Sequence, residues 1–464
     1  MPVISKLVIL LLLILGNLGL WRNTCYAQDA SDHLKPGGQL NDTNPTICSV
    51  GGSYCLQFMK IDSDSSFYYL SVYSGFLESS VWIANRNDQI LNGSSEALTL
   101  DHSGVLKITH QAQEPTILYS PPADLPQDLI NNTRATLLKT GNFVLQQHHP
   151  NGSKIVLWQS FDYPTDTLLP GMKLGVNHKT GRNWSLVSYS TYLSASPGPF
   201  MLEWEPRTGQ LILLRRGQVY WASGVLRNGK LENLSEEAQS LYNYTIVSNK
   251  DEDYFIFSPW NEATKIDKDN ARWTISSHGE LFERTNVITS ADDCYGYHSH
   301  GGCQLLDQPT CRHKGEFFET MYISVRDQGI TYSIDDNVSL TISDCQATCW
   351  SNCHCVGFTS YDNDATGCVF YSEDSPMSVP EDNILRLYFL ANRSEPVGKG
   401  GPAQQPSPGQ RDQYQDSNAS AKRMKLLVAL IIITLFIICA ILWILLRRRK
   451  IMLEGIWFLH INSM

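Results

Sequence analysis

Cys345, Cys349, Cys353 and Cys355, with Cys368 following Gly367, form the densest group of chemically capable side chains in the sequence. Thiols at that spacing either hold a metal ion or close disulfides, and the redox state of the compartment decides between them. Two weaker groupings also invite chemistry. Asp162 and Asp166 are a carboxylate pair of the kind a glycosidase uses, but their Pro-containing turn favours bonds to backbone amides. His298 and His300 beside Gly301 carry ligating nitrogens, yet a histidine pair on an exposed loop is more commonly a loop feature than a metal site. No catalytic residue, metal site or cofactor is expected. The net charge of −10 is spread without long runs of one sign, so nothing marks a nucleic-acid surface.

The compartment follows from two apolar segments. Leu7 to Leu20, behind Lys6 and followed by Cys25 and Ala27, reads as a signal peptide cleaved near Gln28, its apolar run being short for an uncleaved anchor. Leu426 to Leu446 is uncharged and long enough to cross a hydrocarbon core of about 30 Å. Arg447, Arg448, Arg449 and Lys450 follow it as a cytoplasmic-type cluster; Lys422, Arg423 and Lys425 oppose that bias, and the cleaved leader breaks the tie. The expectation is a single-pass type I protein of the plasma membrane with its N-terminus outside. Of 12 cysteines, Cys25 goes with the leader and Cys439 with the span, leaving an even set for an oxidising lumen. That location decides for disulfides over metal. Asn-x-Ser/Thr acceptors at Asn41, Asn92, Asn131, Asn151, Asn183, Asn233, Asn243, Asn337, Asn392 and Asn418 all fall between leader and span.

The elements that must position these residues are strands. From Phe67 to Gln159 short apolar-polar alternations are separated by Gly, Asn, Asp and Pro. Ala97 to Ile108 and Ala135 to Leu145 each read as strand, Gly-containing turn, strand, about 37 residues apart, which suggests a repeated hairpin building a pseudo-symmetric β-prism. Strand-like runs continue at Leu202 to Trp204, Leu211 to Leu214, Tyr254 to Ser258 and Trp273 to Ile275, giving a second β domain. Glu395 to Ser420, rich in Gly, Pro, Gln and Ser and poor in apolar residues, reads as a flexible stalk.

Val81-Trp82-Ile83-Ala84-Asn85-Arg86-Asn87, Thr140-Gly141-Asn142-Phe143-Val144-Leu145, and above all Leu157-Trp158-Gln159-Ser160-Phe161-Asp162-Tyr163-Pro164-Thr165-Asp166-Thr167-Leu168-Leu169-Pro170-Gly171-Met172 resemble the G-type (bulb-type) lectin S-receptor-like kinases of plants. Ser196-Pro197-Gly198-Pro199-Phe200 is similar to the opening of that family's S-locus glycoprotein region, and the late cysteines to its PAN/apple module. The resemblance implies a mainly β architecture: a leader at 1–27, a bulb-type lectin domain at 28–160 and an S-locus-glycoprotein-like β domain at 161–293, the two lying as tandem β-prisms. After them come a short degenerate EGF-like linker at 294–310, a disulfide-rich α+β PAN/apple domain at 311–391, a stalk at 392–425, the transmembrane helix at 426–446 and a tail at 447–464. The sequence departs from the family at Trp221-Ala222-Ser223-Gly224-Val225-Leu226, where Trp-Arg-Ser-Gly-Pro-Trp is usual, and in its few cysteines between Cys294 and Cys311.

In an apple-type module a helix is stapled to the sheet, and Asp344 to Trp350 can form one with Cys345 and Cys349 on one face. The resemblance pairs Cys345 with Cys368 and Cys349 with Cys355; Cys48 and Cys55 stand apart near the mature N-terminus, and spacing leaves the partners of Cys294, Cys303, Cys311 and Cys353 open. Bulb-type lectins hold mannose on a Gln-x-Asp-x-Asn-x-Val-x-Tyr strand. Here only Asn142 and Val144 survive, with Leu138, Thr140 and Gln146 at the Gln, Asp and Tyr positions, and the first repeat has Val105 and Lys107 at the Asn and Val positions. Without the Asp acceptor a charge-assisted bond to the sugar is lost, and Asn142 reads better as a turn residue.

No Gly-rich phosphate loop, Val-Ala-Ile-Lys, His-Arg-Asp or Asp-Phe-Gly occurs, and the residues after Lys450 are too few for a kinase fold. The expected function is therefore a membrane-anchored receptor-like glycoprotein that engages an extracellular ligand or partner receptor, including homo- or heterodimers with related receptor kinases, without a kinase output. The alternative is a truncated product of a receptor-kinase gene.

Overall fold

The computed structural model describes residues 33–392 apart from 44, 92–94, 111–113, 260–270, 284–285, 290–293, 295–300, 305–308, 314–315, 325–331, 363 and 373–383. The leader at 1–27, the apolar segment 426–446, the tail 447–464 and the stalk beyond Asn392 lie outside these residues. Among the described residues no helix is long and apolar enough to cross a membrane.

Strand Ala97–Leu100 buries Leu98 and Leu100, and its partner Leu106–Thr109 buries Leu106 and Ile108, while the intervening side chains remain half-exposed. The period of two makes one face apolar and drives it inward. Between the strands Asp101 Oδ1 accepts from Ser103 N at 2.9 Å and Val105 N at 3.0 Å, and Gly104 takes a φ of 82°. The hairpin Thr133–Leu137 with Phe143–His148 repeats the plan around Gly141, whose φ is 83°. A Cβ at Gly141 would lie 2.8 Å from Leu169 Cδ1, so the close approach requires glycine as much as the turn does. A third hairpin, Tyr54–Met59 with Phe67–Ser74, precedes both.

These hairpins are the centres of three antiparallel sheets. One orders His33–Leu34, Thr133–Leu137, Phe143–His148 and Lys154–Gln159; another Thr116–Tyr119, Leu106–Thr109, Ala97–Leu100 and Gly38–Leu40; the third Ile47–Cys48, Tyr54–Met59, Phe67–Ser74 and Ser79–Ile83. Three four-stranded sheets recur between Thr167 and Val287, built around Leu174–Asn177 with Glu252–Pro259, Ser194–Glu205 with Gln210–Arg215, and Trp273–Ile275 with Leu281–Glu283. The chain therefore builds two β-prisms in succession, and one apolar core runs from Leu34 through Trp158 and Leu169 to Trp273 and Cys294.

The third module is α+β. Its five-stranded sheet orders Glu316–Ser324, Ile384–Asn392, Cys355–Ser360, Cys368–Ser372 and Tyr332–Asp335, and the helix Ile342–Ser351 packs on it. Its buried core cluster is Cys345, Cys349, Cys355, Phe358 and Cys368. Disulfides join Cys345 to Cys368, Cys349 to Cys355 and Cys311 to Cys353; elsewhere Cys48 is bonded to Cys55 and Cys294 to Cys303. Arg312, 4 % exposed, donates from Nε to Trp350 O and from Nη2 to Cys349 O, Asn352 O and Cys355 O. A guanidinium at a helix C-terminus satisfies carbonyls that have no intrahelical partner and complements the dipole there. Trp221 Nε1 donates to Gly301 O and Ala222 N to Gly302 O, so these two glycines, next to the bonded Cys303, lie on the Trp221–Ala222 segment where the sequence departs from the family. A Cβ on Gly302 would come within 2.0 Å of Ala222 O, so that position tolerates only glycine.

Candidate functional site at the junction of three modules

The first prism reaches the second through the loop after strand Ser79–Ile83. Asn85, 1 % exposed, accepts from Leu70 N at 2.8 Å and donates to Asp88 O at 2.9 Å, which fixes the loop. The adjacent Arg86 then extends into the second prism. It donates to Ala195 O at 2.6 Å, Val187 O at 2.8 Å and Ser188 O at 2.6 Å, and its guanidinium lies 5.2 Å from the Tyr189 ring. Burial pulls the Arg86 pKa down while Asp166 opposes that shift; burial pushes Asp166 up against the opposing field of Arg86. Around this contact Tyr69, Ile83 and Ala195 form a separate small core, and Gln89 Nε2 bonds Tyr69 OH, Ser194 Oγ and Ser196 Oγ.

The segment between the prisms is fixed just as densely. Trp158 stacks on Tyr163 at 5.7 Å and meets Trp82 edge-on at 6.0 Å, while Trp82 Nε1 donates to Tyr163 O at 2.8 Å. Asp162 accepts from Gln159 Nε2 at 3.1 Å and pairs with Arg182 at 3.0 Å. Asp166, 5 % exposed, accepts from the hydroxyls of Thr165 and Thr167. Both carboxylates are engaged as parts of the joint.

The second prism holds the third module through a shared acid. Asp344 Oδ2 accepts from Thr341 N and Thr341 Oγ1, each at 2.9 Å, at the helix start; the same carboxylate accepts from Arg215 Nη2 at 2.8 Å and Arg216 Nη2 at 2.6 Å. Burial pushes its pKa up, but Arg216, Thr341 and Arg215 prevail and hold it below the ordinary carboxylate range. A depressed native pKa contributes stability above the unfolded value of about 3.9 and loses it as pH falls through the native value. Asp344→Asn should therefore cost about 1–3 kcal/mol at neutral pH, with Arg216's exposure limiting the effect. In urea titrations across pH the deficit should vanish under strongly acidic conditions; a deficit independent of pH would refute the assignment.

Where these contacts converge lies a cleft of about 530 Å³, walled by Ser65 and Phe67 of the first prism, Ser194 and Ser196 of the second, and Val338 and Asp364 of the third module. No spacing in the sequence announces it, because its walls come from three separate stretches.

The residues singled out by sequence fall elsewhere. Asn142, 7 % exposed, donates Nδ2 to Gln159 Oε1 at 2.9 Å and accepts from Ser160 Oγ and Phe161 N, and Val144 is 1 % exposed in the core. Thr140 is exposed on the turn before them, and Leu138 and Gln146 are half-buried. Among acceptor asparagines, Asn131, Asn151, Asn183 and Asn337 are exposed and Asn41, Asn233 and Asn243 partly so; Asn233 donates from Nδ2 to Ala222 O. Asn92, Asn418, His298 and His300 lie outside the described residues, as does the Asn392 side chain.

Family comparison accords with this architecture. The D-mannose binding lectin family matches residues 79–190, a window that crosses the joint between the prisms, and the PAN-like domain matches residues 311–375. A G-type lectin S-receptor-like serine/threonine-protein kinase of Arabidopsis thaliana is 32% identical over 385 residues, covering 74% of this chain and 44% of its own length. A second such kinase from the same plant is 33% identical over 301 residues, covering 63% of this chain and 34% of its own. S-locus-specific glycoprotein S6 of Brassica oleracea is 29% identical over 383 residues, with 71% of this chain and 84% of its own length covered. The chain spans less than half the length of these two kinases. The chain thus carries matches to a lectin and a PAN-like domain, and its homologues over much of its length are G-type lectin S-receptor-like kinases and S-locus glycoproteins.

Proposed function

We propose that the three modules are the ligand-engaging part of a membrane-anchored, receptor-like glycoprotein of the lectin family, and that an extracellular ligand or partner receptor seats at their junction. The observation that carries this is the cleft of about 530 Å³ to which all three modules contribute. Ligand sites are concave and lie preferentially between domains, and here the buried contacts of Arg86 and Asp344 hold the walls in place before any ligand arrives. Such preorganisation reduces the entropy lost on binding. The apolar segment 426–446 would anchor the chain as a single-pass plasma-membrane protein with the modules outside, and related receptor kinases are the natural partners for homo- or heterodimers. A second reading makes these residues the outer portion of a longer signalling chain. The additional length of the kinase relatives favours it, and an in-frame kinase exon downstream would establish it.

The test compares affinity capture of cell-surface proteins by residues 28–425 with capture by a Ser196→Arg variant whose side chain fills the cleft. Wild type should retain a discrete set that the variant loses. Identical retention by both would move the site elsewhere, and no retention by either would remove the ligand-engaging role.

A further inference from the structure

We propose that Asn228 is a site of spontaneous covalent modification in the folded chain: its side-chain amide is lost through ring closure onto Gly229 N, leaving aspartate and isoaspartate. The inference is independent of where a ligand seats. Asn-Gly is the dipeptide best suited to this chemistry, because glycine places no Cβ beside its own attacking nitrogen. The sequence contains three such pairs, Asn92-Gly93, Asn151-Gly152 and Asn228-Gly229. Asn92 and Asn151 each open an acceptor triplet, with Ser94 and Ser153, so a glycan on the amide nitrogen would block its departure. Asn228 is followed by Gly229 and Lys230 and can receive no such cap.

The two pairs among the described residues differ in how they are held. Asn151 Oδ1 accepts from Ser153 N at 2.9 Å and Ser153 Oγ at 2.7 Å, and Gly152 N donates to His149 O at 3.0 Å. Amide and attacking nitrogen are both engaged there, in a turn between the paired strands Phe143–His148 and Lys154–Gln159. Asn228 and Gly229, with φ of 51° and 75°, form the two-residue loop of a type I′ turn. One isolated bridge closes it: Arg227 N donates to Lys230 O and Lys230 N to Arg227 O, each at 2.9 Å. Opening these two bonds is a local event that frees the rotation needed to bring Gly229 N onto Asn228 Cγ. Neither the Asn228 side chain nor Gly229 N has a partner among the described residues. All four residues of the turn are exposed, and a Cβ on Gly229 would meet nothing within 4 Å.

The step needs water as its one co-reactant. Gly229 N gives its proton to solvent and bonds to Asn228 Cγ; the Cγ–Nδ2 bond breaks, and Nδ2 takes up a proton and leaves as ammonia. Water then adds to either carbonyl of the cyclic imide. Breaking the new N–Cγ bond gives aspartate, and breaking the original peptide bond gives isoaspartate, whose main chain runs through Cβ. Either product places a negative charge between Arg227 and Lys230, and isoaspartate lengthens the main chain just before the buried Leu231.

The experiment incubates the purified glycosylated chain at neutral and mildly alkaline pH and maps its peptides with a protease that spares Arg227 and Lys230. Isoelectric focusing reports the new charge, and labelling by an isoaspartyl methyltransferase reports the rearranged main chain. An acidic species should accumulate, with its label in the peptide that holds Asn228 and not in the one that holds Asn151. It should form faster at the higher pH, because the attacking nitrogen must lose its proton. Asn228→Gln, whose imide would need a less favourable six-membered ring, should form little of it and keep the wild-type Tm; an acidic species undiminished in that variant comes from elsewhere and would overturn the proposal. A urea-unfolded sample is followed in parallel. Retention of the Asn228 amide in the folded chain would also overturn the proposal, and its loss in urea alone would show that the turn keeps Gly229 N away from Cγ. Label at Asn151 equal to that at Asn228 would overturn it as well, because the contacts that distinguish the two turns would then have no effect.

Discussion

Arg86→Leu should lower the unfolding free energy of the ectodomain by about 3–5 kcal/mol, the cost of breaking a buried charged contact by removing one side of it. The leucine fills part of the volume but leaves the carbonyls of Ala195, Val187 and Ser188 without their donor in a buried setting. It also removes the positive field that restrains the Asp166 pKa. A carboxyl whose native pKa is raised opposes folding increasingly as pH rises above the unfolded value, so the deficit should grow from acidic toward neutral pH. Arg86→Lys should recover less than half of it, because one ammonium cannot reproduce the planar fork that reaches carbonyls on two strands. Urea titrations give the magnitude, and cleavage by a protease between the prisms reports their separation. Arg86→Leu within 1 kcal/mol of wild type and uncleaved would mean that the small core of Tyr69, Ile83 and Ala195 suffices for docking.

Cys349→Ser is expected to cost a further 2–5 kcal/mol in a different place, the usual range for loss of a native bridge in a small extracellular module. Here the cluster of five core residues contains four cysteines, Cys345, Cys349, Cys355 and Cys368, around Phe358. Phe358 stacks on Tyr388 at 4.9 Å and meets Phe318 edge-on at 4.9 Å, and Leu340, Ile342 and Phe370 are only partly buried against this small cluster. Loss of Cys349 also strands Cys355 as a thiol able to mispair in the lumen. The variant should be retained inside the secretory pathway while the prisms remain folded, as shown by endoglycosidase-sensitive glycans and a preserved aromatic circular-dichroism band. Normal surface delivery would show that the aromatic stack and Arg312 hold the module unaided.

Two hairpins of the first prism are legible because a glycine marks the turn between alternating strands, whereas those turning at Gly181 and Gly217 in the second prism are not. Ala97–Thr109 and Thr133–His148 carry Gly104 and Gly141 with positive φ, and both read correctly as strand, turn, strand. The earlier hairpin, Tyr54–Met59 with Phe67–Ser74, turns through Asp62, Ser63, Asp64 and Ser65, where Asp62 Oδ1 bonds Asp64 N, and no glycine advertises it. The alternating pattern is clear only from Phe67, whereas the sheets begin at His33. The helix expected over Asp344 to Trp350 forms as Ile342–Ser351, extended by the bonds between Thr341 and Asp344. The junction was not legible. The motif around Arg86 marked the family, but nothing local says that its side chain ends among carbonyls more than a hundred residues away. Sequence patterns record periodicity and turns, whereas a buried arginine at an interface is defined by partners brought together only in the folded chain.

The hydrogen bonds of the Arg86 joint go to main chain rather than to side chains. Its acceptors in the second prism are the carbonyls of Val187, Ser188 and Ala195, groups present whatever residues occupy those positions. The neighbouring surface can consequently be redesigned or diversified, at the exposed Tyr192 for example, without altering the coupling that holds the two prisms in register. A scaffold joined this way separates two demands that otherwise compete: a fixed geometry between its parts and a freely variable exterior.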